Sequence, residues 1–147
     1  MYKHILVPTD GSKLSGKAIR TAARLAKICQ AKLTGLCVVP PYIPPVYAEG
    51  VTYGALSPRD YNKLKEKEAK KALAVVEIEA QTSGVEAAKI SLTADQPWRA
   101  IISAARSKKC DLIVMASHGR RGLSGLLLGS ETVKVLTHSK IPVLVCR

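Results

Sequence analysis

Residues 4–39 read HILVPTDGSKLSGKAIRTAARLAKICQAKLTGLCVV, and this stretch decides the fold of the chain. It begins and ends with short apolar runs rich in Val, Ile and Leu, at 4–8 and 33–39. Between the runs, apolar residues recur at helical spacing on one face: Leu14, Ala18, Ala22, Leu25 and Ala26. Continuous apolar runs are typical of strands buried on both faces of a parallel sheet. The stretch therefore predicts a strand, a helix and a second strand parallel to the first.

The same alternation continues towards the C-terminus. Three further apolar runs predict strands at 85–92, 112–116 and 141–146. Three further helices begin at residues that suit a cap or a first turn: Ser57-Pro58, Pro97 after Asp95 or Gln96, and Ser130. Gly84 ends the first of these helices, whose predicted buried stripe is Tyr61, Leu64, Glu68, Ala72, Val76 and Ala80. The pattern predicts one α/β domain, residues 1–147, with a doubly wound five-stranded parallel sheet.

The composition excludes a membrane span, because no run approaches the roughly 18 apolar residues that one needs. We expect a cytoplasmic protein whose four cysteines are reduced, since they show neither CxxC pairing nor metal-like spacing. The formal charge of +12 indicates an anionic partner. The segment 39–56 contains four prolines and is rich in apolar residues, so we expect it to cover the sheet edge or a site.

Two loops leave the predicted central strands at the carboxyl edge of the sheet, where ligands bind in open α/β folds. One is Pro8-Thr9-Asp10-Gly11, and the other is ASHGRRGLSGLLLGS at 116–130, which has four glycines. Glycines allow close approach of the backbone, and the helix that follows presents free amides and a positive dipole end. The loop therefore predicts phosphate binding, although it lacks the lysine of a P-loop. A surface loop without a ligand is the alternative.

The segments VPTDGS, SHGRRGLSGLLLGS and SKIPVLVCR together resemble the universal stress protein family over the whole chain. Gly119 followed by nine residues and Gly129-Ser130 is similar to the motif G-x2-G-x9-G-[ST] of its ATP-binding branch, with Ala116 at the first glycine. The resemblance implies the strand order 3-2-1-4-5 with helices on both faces. It also implies a homodimer that pairs through strand 141–146.

The resemblance further implies a role for individual positions of this chain. Asp10 faces ribose and phosphate, Pro8 and Thr9 line the same wall, and backbone groups of Val38 or Val39 bind adenine. Met115 and Ala116 border the sugar, and we expect Ala116→Gly to tighten ATP binding. The remaining positions hold phosphates: Gly119, Gly129, Ser130 and the amide of Glu131. One carboxylate plus phosphates suits Mg²⁺, so Asp10 is also the candidate metal ligand.

Several of these residues have simpler alternatives. Asp10 can serve only as a cap for the first helix together with Ser12. Arg120 and Arg121 can clamp phosphate or face solvent. We interpret His118 as a hydrogen-bonding or solvent-facing residue, because no nucleophile lies near it in sequence. We interpret Trp98 as a packing or partner-contact residue.

The first helix carries five basic residues within an arc of roughly 80° opposite its apolar face: Lys13, Lys17, Arg20, Arg24 and Lys27. A solvated face is the simplest explanation, although natural surfaces usually mix signs. The leading hypothesis is a homodimeric, ATP-binding regulatory stress protein with at most slow ATP hydrolysis. The alternative is a scaffold that binds no nucleotide and uses its basic surface on nucleic acid or an acidic partner. For nucleic acid we expect at most weak, sequence-independent binding.

Overall fold

The computed structural model describes residues 1–44, 56–120 and 128–147. Strands and helices alternate in the order β1 (His4–Pro8), α1 (Lys13–Cys29), β2 (Lys32–Val39), α2 (Pro58–Ser83), β3 (Ala87–Thr93), α3 (Pro97–Ser107), β4 (Leu112–Ala116), α4 (Ser130–His138) and β5 (Val143–Cys146). The five strands form one parallel sheet in the order β3-β2-β1-β4-β5. The predicted doubly wound fold and its strand order are confirmed.

The helix ends follow local rules that the sequence shows. Ser12 caps α1 by accepting a hydrogen bond from the N–H of Ser15, and Ser57 caps α2 by accepting one from Asp60. Gly84 ends α2 with a positive φ of 68°, a conformation that favours glycine. Gln96 is the N-cap of α3, but its side chain makes no capping hydrogen bond.

The core consists of two apolar layers, one on each face of the sheet. Ile5 and Val7 pack with buried residues of α1 and α2, whereas Leu6, between them in β1, packs with α3 and α4. This division follows from the strand geometry, because successive side chains point to opposite faces. The two layers fix α4 and α1 on opposite sides of the central strands β1 and β4.

The predicted buried stripe of α2 is wrong at its N-terminal end. Leu64 is 43% exposed, and the buried positions begin at Ala69. The reason is length: a helix of 26 residues extends about 39 Å, whereas the seven residues of β3 span about 23 Å. The first turns of α2 therefore extend past the sheet. There the Tyr61 hydroxyl donates a 3.0 Å hydrogen bond to the carbonyl of Pro40.

All four cysteines are unpaired in this structure. Burial raises the pKa of the Cys110 thiol to about 11, which keeps it protonated at neutral pH. Within the described ranges, none of the helices is long and apolar enough to cross a bilayer. The prediction for segment 39–56 falls mainly on residues 45–55, which lie outside the described part of the chain.

Candidate functional site

The pairing between β1 and β4 stops short of the carboxyl edge of the sheet, and we call this place the opening. β1 pairs with β2 from His4↔Lys32 to Pro8↔Leu36, but it pairs with β4 only at Ile5↔Leu112 and Leu6↔Ile113. The strand order reverses between the same two strands, with β2 and β3 on one side and β5 on the other. Loops that leave two diverging strands at such a reversal flank a crevice in which ligands of α/β proteins bind.

Asp10 joins the two loops that flank this opening. Its Oδ1 accepts a 2.9 Å hydrogen bond from the N–H of Ser12, and its Oδ2 accepts a 2.7 Å bond from the N–H of Arg120. Burial raises the pKa of Asp10, but the hydrogen bonds from Ser12 and Arg120 outweigh burial and hold the pKa below its ordinary value. Asp10 is therefore ionised at neutral pH, and Ser12 rather than Asp10 is the N-cap of α1.

Pro8 ends β1, and Thr9 connects it to Asp10. Thr9 is buried, and its N–H donates a 2.8 Å hydrogen bond to the carbonyl of Leu36. Its Oγ1 lies 3.0 Å from Oγ of Ser15 and accepts a 3.2 Å bond from the N–H of Gly11. Thr9 thus fixes this connection from inside, and half-buried Pro8 is paired with Leu36.

Gly119 and Gly129 approach this chain's own groups closely. A Cβ at Gly119 would lie 2.6 Å from Oδ2 of Asp10, and one at Gly129 would lie 3.2 Å from Cα of His118. The N–H of Gly129 donates a 2.7 Å hydrogen bond to the carbonyl of Ser117, so this amide is engaged within the protein. The sequence attributed both glycines to a phosphate, whereas contacts within the protein already favour glycine at both positions, most strongly at Gly119. Arg121 lies outside the described residues.

The start of α4 lies beside the end of β4. Val133 makes the first hydrogen bond back along the helix, 3.0 Å to the carbonyl of Gly129, so the amides of Ser130, Glu131 and Thr132 have no acceptor within the helix. The Thr132 hydroxyl donates a 3.1 Å bond to the carbonyl of Ala116 and holds the helix start in place. Free amides and the positive dipole end favour a negative charge at this terminus.

The side chain of Glu131 points to α3. Its Oε2 accepts a 2.8 Å hydrogen bond from the backbone N–H of Trp98, and its Oε1 accepts a 3.0 Å bond from Nζ of Lys134. Glu131 therefore supplies the capping acceptor that Gln96 does not. This contact spans 33 residues, and no local sequence pattern indicates it. Trp98 also stacks on His138, with ring centroids 4.6 Å apart.

The alternation of backbone groups along β2 shows which of Val38 and Val39 directs its N–H and C=O to the opening. The carbonyl of Leu36 accepts a bond from Thr9 on the β1 side, and the carbonyl of Val39 accepts one from Ala94 on the β3 side. Successive residues direct their backbone groups to opposite sides within a sheet, so Val38 directs its groups to the β1 side. β1 has ended there, at Pro8. Val38, and not Val39, has its N–H and C=O at the opening.

Met115 and Ala116 end β4, and their side chains lie in the core. Met115 is 6% exposed and packs in the α3 layer, while Ala116 is 8% exposed and packs in the α1 and α2 layer. The Ala116 methyl group is thus accommodated by the core.

Arg120 is more exposed than these two residues. Its guanidinium lies 4.0 Å from Oε2 of Glu68, and a Cβ at Gly11 would lie 3.0 Å from its Nη2. This side chain is 54% exposed and folds over the first loop.

Metal and thiol chemistry have little support among the described residues. They contain no group of three or more His, Cys, Asp or Glu that could hold a metal ion. Asp10 retains acceptor capacity, because each carboxylate oxygen has a second lone pair. Burial raises the pKa of Cys37 at the end of β2, and the charge of Asp10 raises it further. This thiol therefore stays protonated and serves packing.

The model of the universal stress protein family matches residues 1–147. The chain belongs to the universal stress protein family. It is 35% identical to the universal stress protein YxiE of Bacillus subtilis, with all of both chains covered. The solved universal stress protein UspA from Lactobacillus plantarum is similar at 28% identity with a TM-score of 0.77, covering 99% of this chain and 98% of that one. A universal stress protein in complex with cAMP has 26% identity and a TM-score of 0.71, covering 99% and 97%.

Proposed function

We propose that this universal stress protein binds an adenine nucleotide, with ATP as its preferred ligand, and acts as a regulatory homodimer in the cytoplasm. One observation carries the proposal: three groups suited to base, ribose and phosphate lie at the same edge of the sheet. They are the backbone of Val38, the Asp10–Arg120 bridge and the N-terminus of α4. A family member of similar fold was solved in complex with cAMP, which supports the nucleotide class.

The backbone of Val38 favours adenine over guanine. A strand residue presents an N–H donor and a C=O acceptor side by side, which match the N1 acceptor and the N6 amino donor of adenine. Guanine presents an acceptor and a donor in the opposite order, so the same backbone would meet donor with donor. Val38 therefore supplies base selectivity without a polar side chain.

The phosphates would lie against the start of α4. The amides of Ser130 and Glu131 and the Ser130 hydroxyl are donors there, and Ser130 is exposed. Arg120 could turn from Glu68 to a phosphate at small cost, since exposed ion pairs contribute little to stability. Asp10 would accept a hydrogen bond from a ribose hydroxyl, or it would be one ligand of a Mg²⁺ ion bound to the phosphates.

We expect at most slow hydrolysis of ATP. Asp10 already accepts bonds from two amides, and Nδ1 of His118 lies 3.2 Å from Oγ of Ser117. Hydrolysis of ATP requires at least one group that orients or deprotonates the attacking water. We expect neither Asp10 nor His118 to serve in this way, because both are engaged in these contacts. Nucleotide binding would then act as a signal that stabilises one state of the protein.

Calorimetry on nucleotide-stripped protein with Mg²⁺ tests the proposal directly. We expect binding in the order ATP, then AMP and cAMP, with GTP at least tenfold weaker. At a hundredfold excess over Kd, a ligand raises stability by about 2.7 kcal/mol, or about 5–10 °C in Tm for a domain of this size. Equal affinity for GTP and ATP would show that the backbone of Val38 does not select adenine. No heat and no Tm shift with millimolar ATP would overturn the proposal.

A further inference from the structure

The outer face of α1 carries a continuous row of positive charge. The α1 basic row consists of Lys13, Lys17, Arg20, Arg24 and Lys27, and all five side chains are exposed. They alternate in spacing between four and three residues, so they stay on one side of the helix. The buried residues of α1, among them Ala18, Ile19 and Ala22, occupy the opposite side. The row is therefore a surface feature that the core does not require.

Acidic residues do not balance this row. α1 contains none, and within the described part of the chain only Arg20 of the row lies near a carboxylate, 3.9 Å from Glu79. The neighbouring helix α2 shows the usual pattern of mixed charge, with pairs such as Lys65–Glu68 at 2.9 Å and Lys70–Glu66 at 2.7 Å. The two helices lie in the same layer, so the lack of acidic residues is a property of α1 and not of the layer.

Helix stability explains only Lys27 of the row, which lies in the last turn, where the helix dipole favours a cation. Like charges three and four residues apart repel each other along the helix. Lys13 lies in the first turn, where the helix dipole favours acidic residues, and that turn contains none. The Arg20–Glu79 contact at 3.9 Å offsets little of this repulsion, and a surface that breaks local rules in this way is typical of a binding site.

We propose that the α1 basic row binds the phosphate backbone of duplex nucleic acid without reading its sequence. From Lys13 to Lys27 the row extends about 21 Å, a length over which one strand of B-DNA presents about six phosphates. A pI near 9.8 and a net charge of +12 provide attraction at long range. Lysine and arginine side chains contact the phosphates of any sequence, so we expect binding that is independent of sequence.

Two other anionic surfaces fit the row less well. A membrane-surface helix inserts apolar side chains, but those of α1 are largely buried in the core; Ile28, 75% exposed, is the large exception. An acidic protein partner needs aromatic or apolar anchors at the centre of the interface, but α1 contains no aromatic residue and Ile28 lies at the C-terminal end of the row, after Lys27. A polyphosphate backbone needs only the charges.

The test measures duplex DNA binding at several salt concentrations for wild type and two triple variants. The test variant is Lys17→Gln, Arg20→Gln and Arg24→Gln. The control removes three exposed cations from the opposite layer: Arg106→Gln, Lys108→Gln and Lys140→Gln. Each neutralised phosphate contributes about −0.9 to the slope of log K against log salt. We expect the test variant to flatten this slope by about 2–3 and to weaken binding roughly tenfold at low salt, and the control to change both much less.

Parallel titrations with poly-glutamate and with phosphatidylserine vesicles identify the partner class. Stronger binding of either probe than of DNA, lost in the same test variant, would overturn the assignment to nucleic acid. Equal effects of the two triple variants would show that total charge, and not the row, binds DNA, and would also overturn it. Melting curves of all three proteins check folding, and we expect the test variant to melt no lower than the wild type, because repulsion is relieved.

Discussion

The carboxylate of Asp10 accepts a 2.7 Å hydrogen bond from the backbone N–H of Arg120, so one side chain fixes the distance between the loops after β1 and β4. Asp111 makes an equivalent pair of bonds at the opposite edge, accepting from the N–H groups of Lys3 and His4 at 2.8 and 3.0 Å. Both carboxylates tie β1 to the β4 side of the sheet. Only Asp10 does so at the proposed nucleotide site.

Asp10→Asn should therefore weaken both stability and ATP binding, whereas Asp111→Asn should weaken stability alone. An amide retains one acceptor oxygen, so we expect a loss of about 1 kcal/mol at pH 7 in each case. The pKa of Asp10 is lowered on folding, so its stabilisation is present above the unfolded pKa and is lost as the pH falls through the lower folded value. Chemical denaturation at several pH values from 7 to 2 should show the free energies of unfolding of Asp10→Asn and the wild type becoming equal at the acid end. A constant gap would contradict the ionised role of Asp10.

Gly119→Ala tests the close approach to Asp10. A methyl group at residue 119 would lie 2.6 Å from Oδ2 of Asp10 and must displace that carboxylate or the loop. We expect ATP affinity to fall at least tenfold. Gly16→Ala is the matched control, because the nearest atom to its Cβ is Nη1 of Arg20 at 3.9 Å. Within α1 this control should stabilise the protein by about 0.5–1 kcal/mol and leave ATP affinity unchanged. Calorimetry and Tm together separate the two effects.

Val38→Pro tests the backbone contact to adenine. Proline removes the N–H that Val38 directs to the opening, whereas Val39→Pro removes one that faces β3. We expect Val38→Pro to fold and to lose ATP binding, and Val39→Pro to lose a ladder hydrogen bond and melt much lower. Circular dichroism reports the fold and calorimetry reports the ligand. Val38→Pro with wild-type affinity for ATP would show that the base binds elsewhere.

The sequence predicts most element boundaries because local rules set them. β1 and β4 match the predicted ranges, since a buried parallel strand is a continuous apolar run. β5 begins at Val143 and not at 141, after Pro142, which has no N–H for a ladder. Leu64 shows the limit: an amphipathic pattern identifies a face of α2 but not the point at which the sheet beneath it ends.

The sequence predicts that the proposed site residues lie at one edge of the sheet, but it does not predict which groups they contact. Motif and fold place Asp10, Gly119 and Gly129 at one edge of the sheet. They do not show that Gly119 packs against Asp10, or that Glu131 turns from the phosphate loop to the amide of Trp98. Such contacts join residues far apart in sequence and depend on how the loops pack, which no periodicity encodes. The same applies to Ala116, whose methyl group packs in the core.

Glu131→Ala should lower stability with little effect on ATP binding. The substitution removes the acceptor for the N–H of Trp98 at the start of α3, which corresponds to the loss of a helix cap, about 1 kcal/mol. The backbone amide of residue 131 remains for phosphate. Glu131→Gln keeps an acceptor and should recover part of the stability. An increase of more than tenfold in ATP affinity in Glu131→Ala would contradict this orientation, because it would show that the carboxylate repels the phosphates.

The outer edge of β5 follows from the same alternation of backbone groups. The carbonyls of Pro142 and Cys146 accept bonds from Ile113 and Ser117 of the β4 segment. Residues 142 and 146 therefore face β4, and the odd-numbered residues Val143 and Val145 direct their N–H and C=O groups away from it. β5 is an edge strand of the sheet, and an apolar edge strand favours pairing with a second copy.

Val145→Pro should convert the proposed homodimer into a folded monomer. Proline removes an N–H on the outer edge and leaves the bonds between β5 and β4 intact, so the sheet should survive while the pairing of two β5 strands is lost. Val145→Thr is the control, since it changes the side chain and keeps the N–H. Sedimentation at micromolar concentration should give a dimer for wild type and Val145→Thr, and a monomer with native circular dichroism for Val145→Pro. A dimeric Val145→Pro would place the interface on another surface, because an antiparallel β5 pair cannot form its full ladder without that N–H.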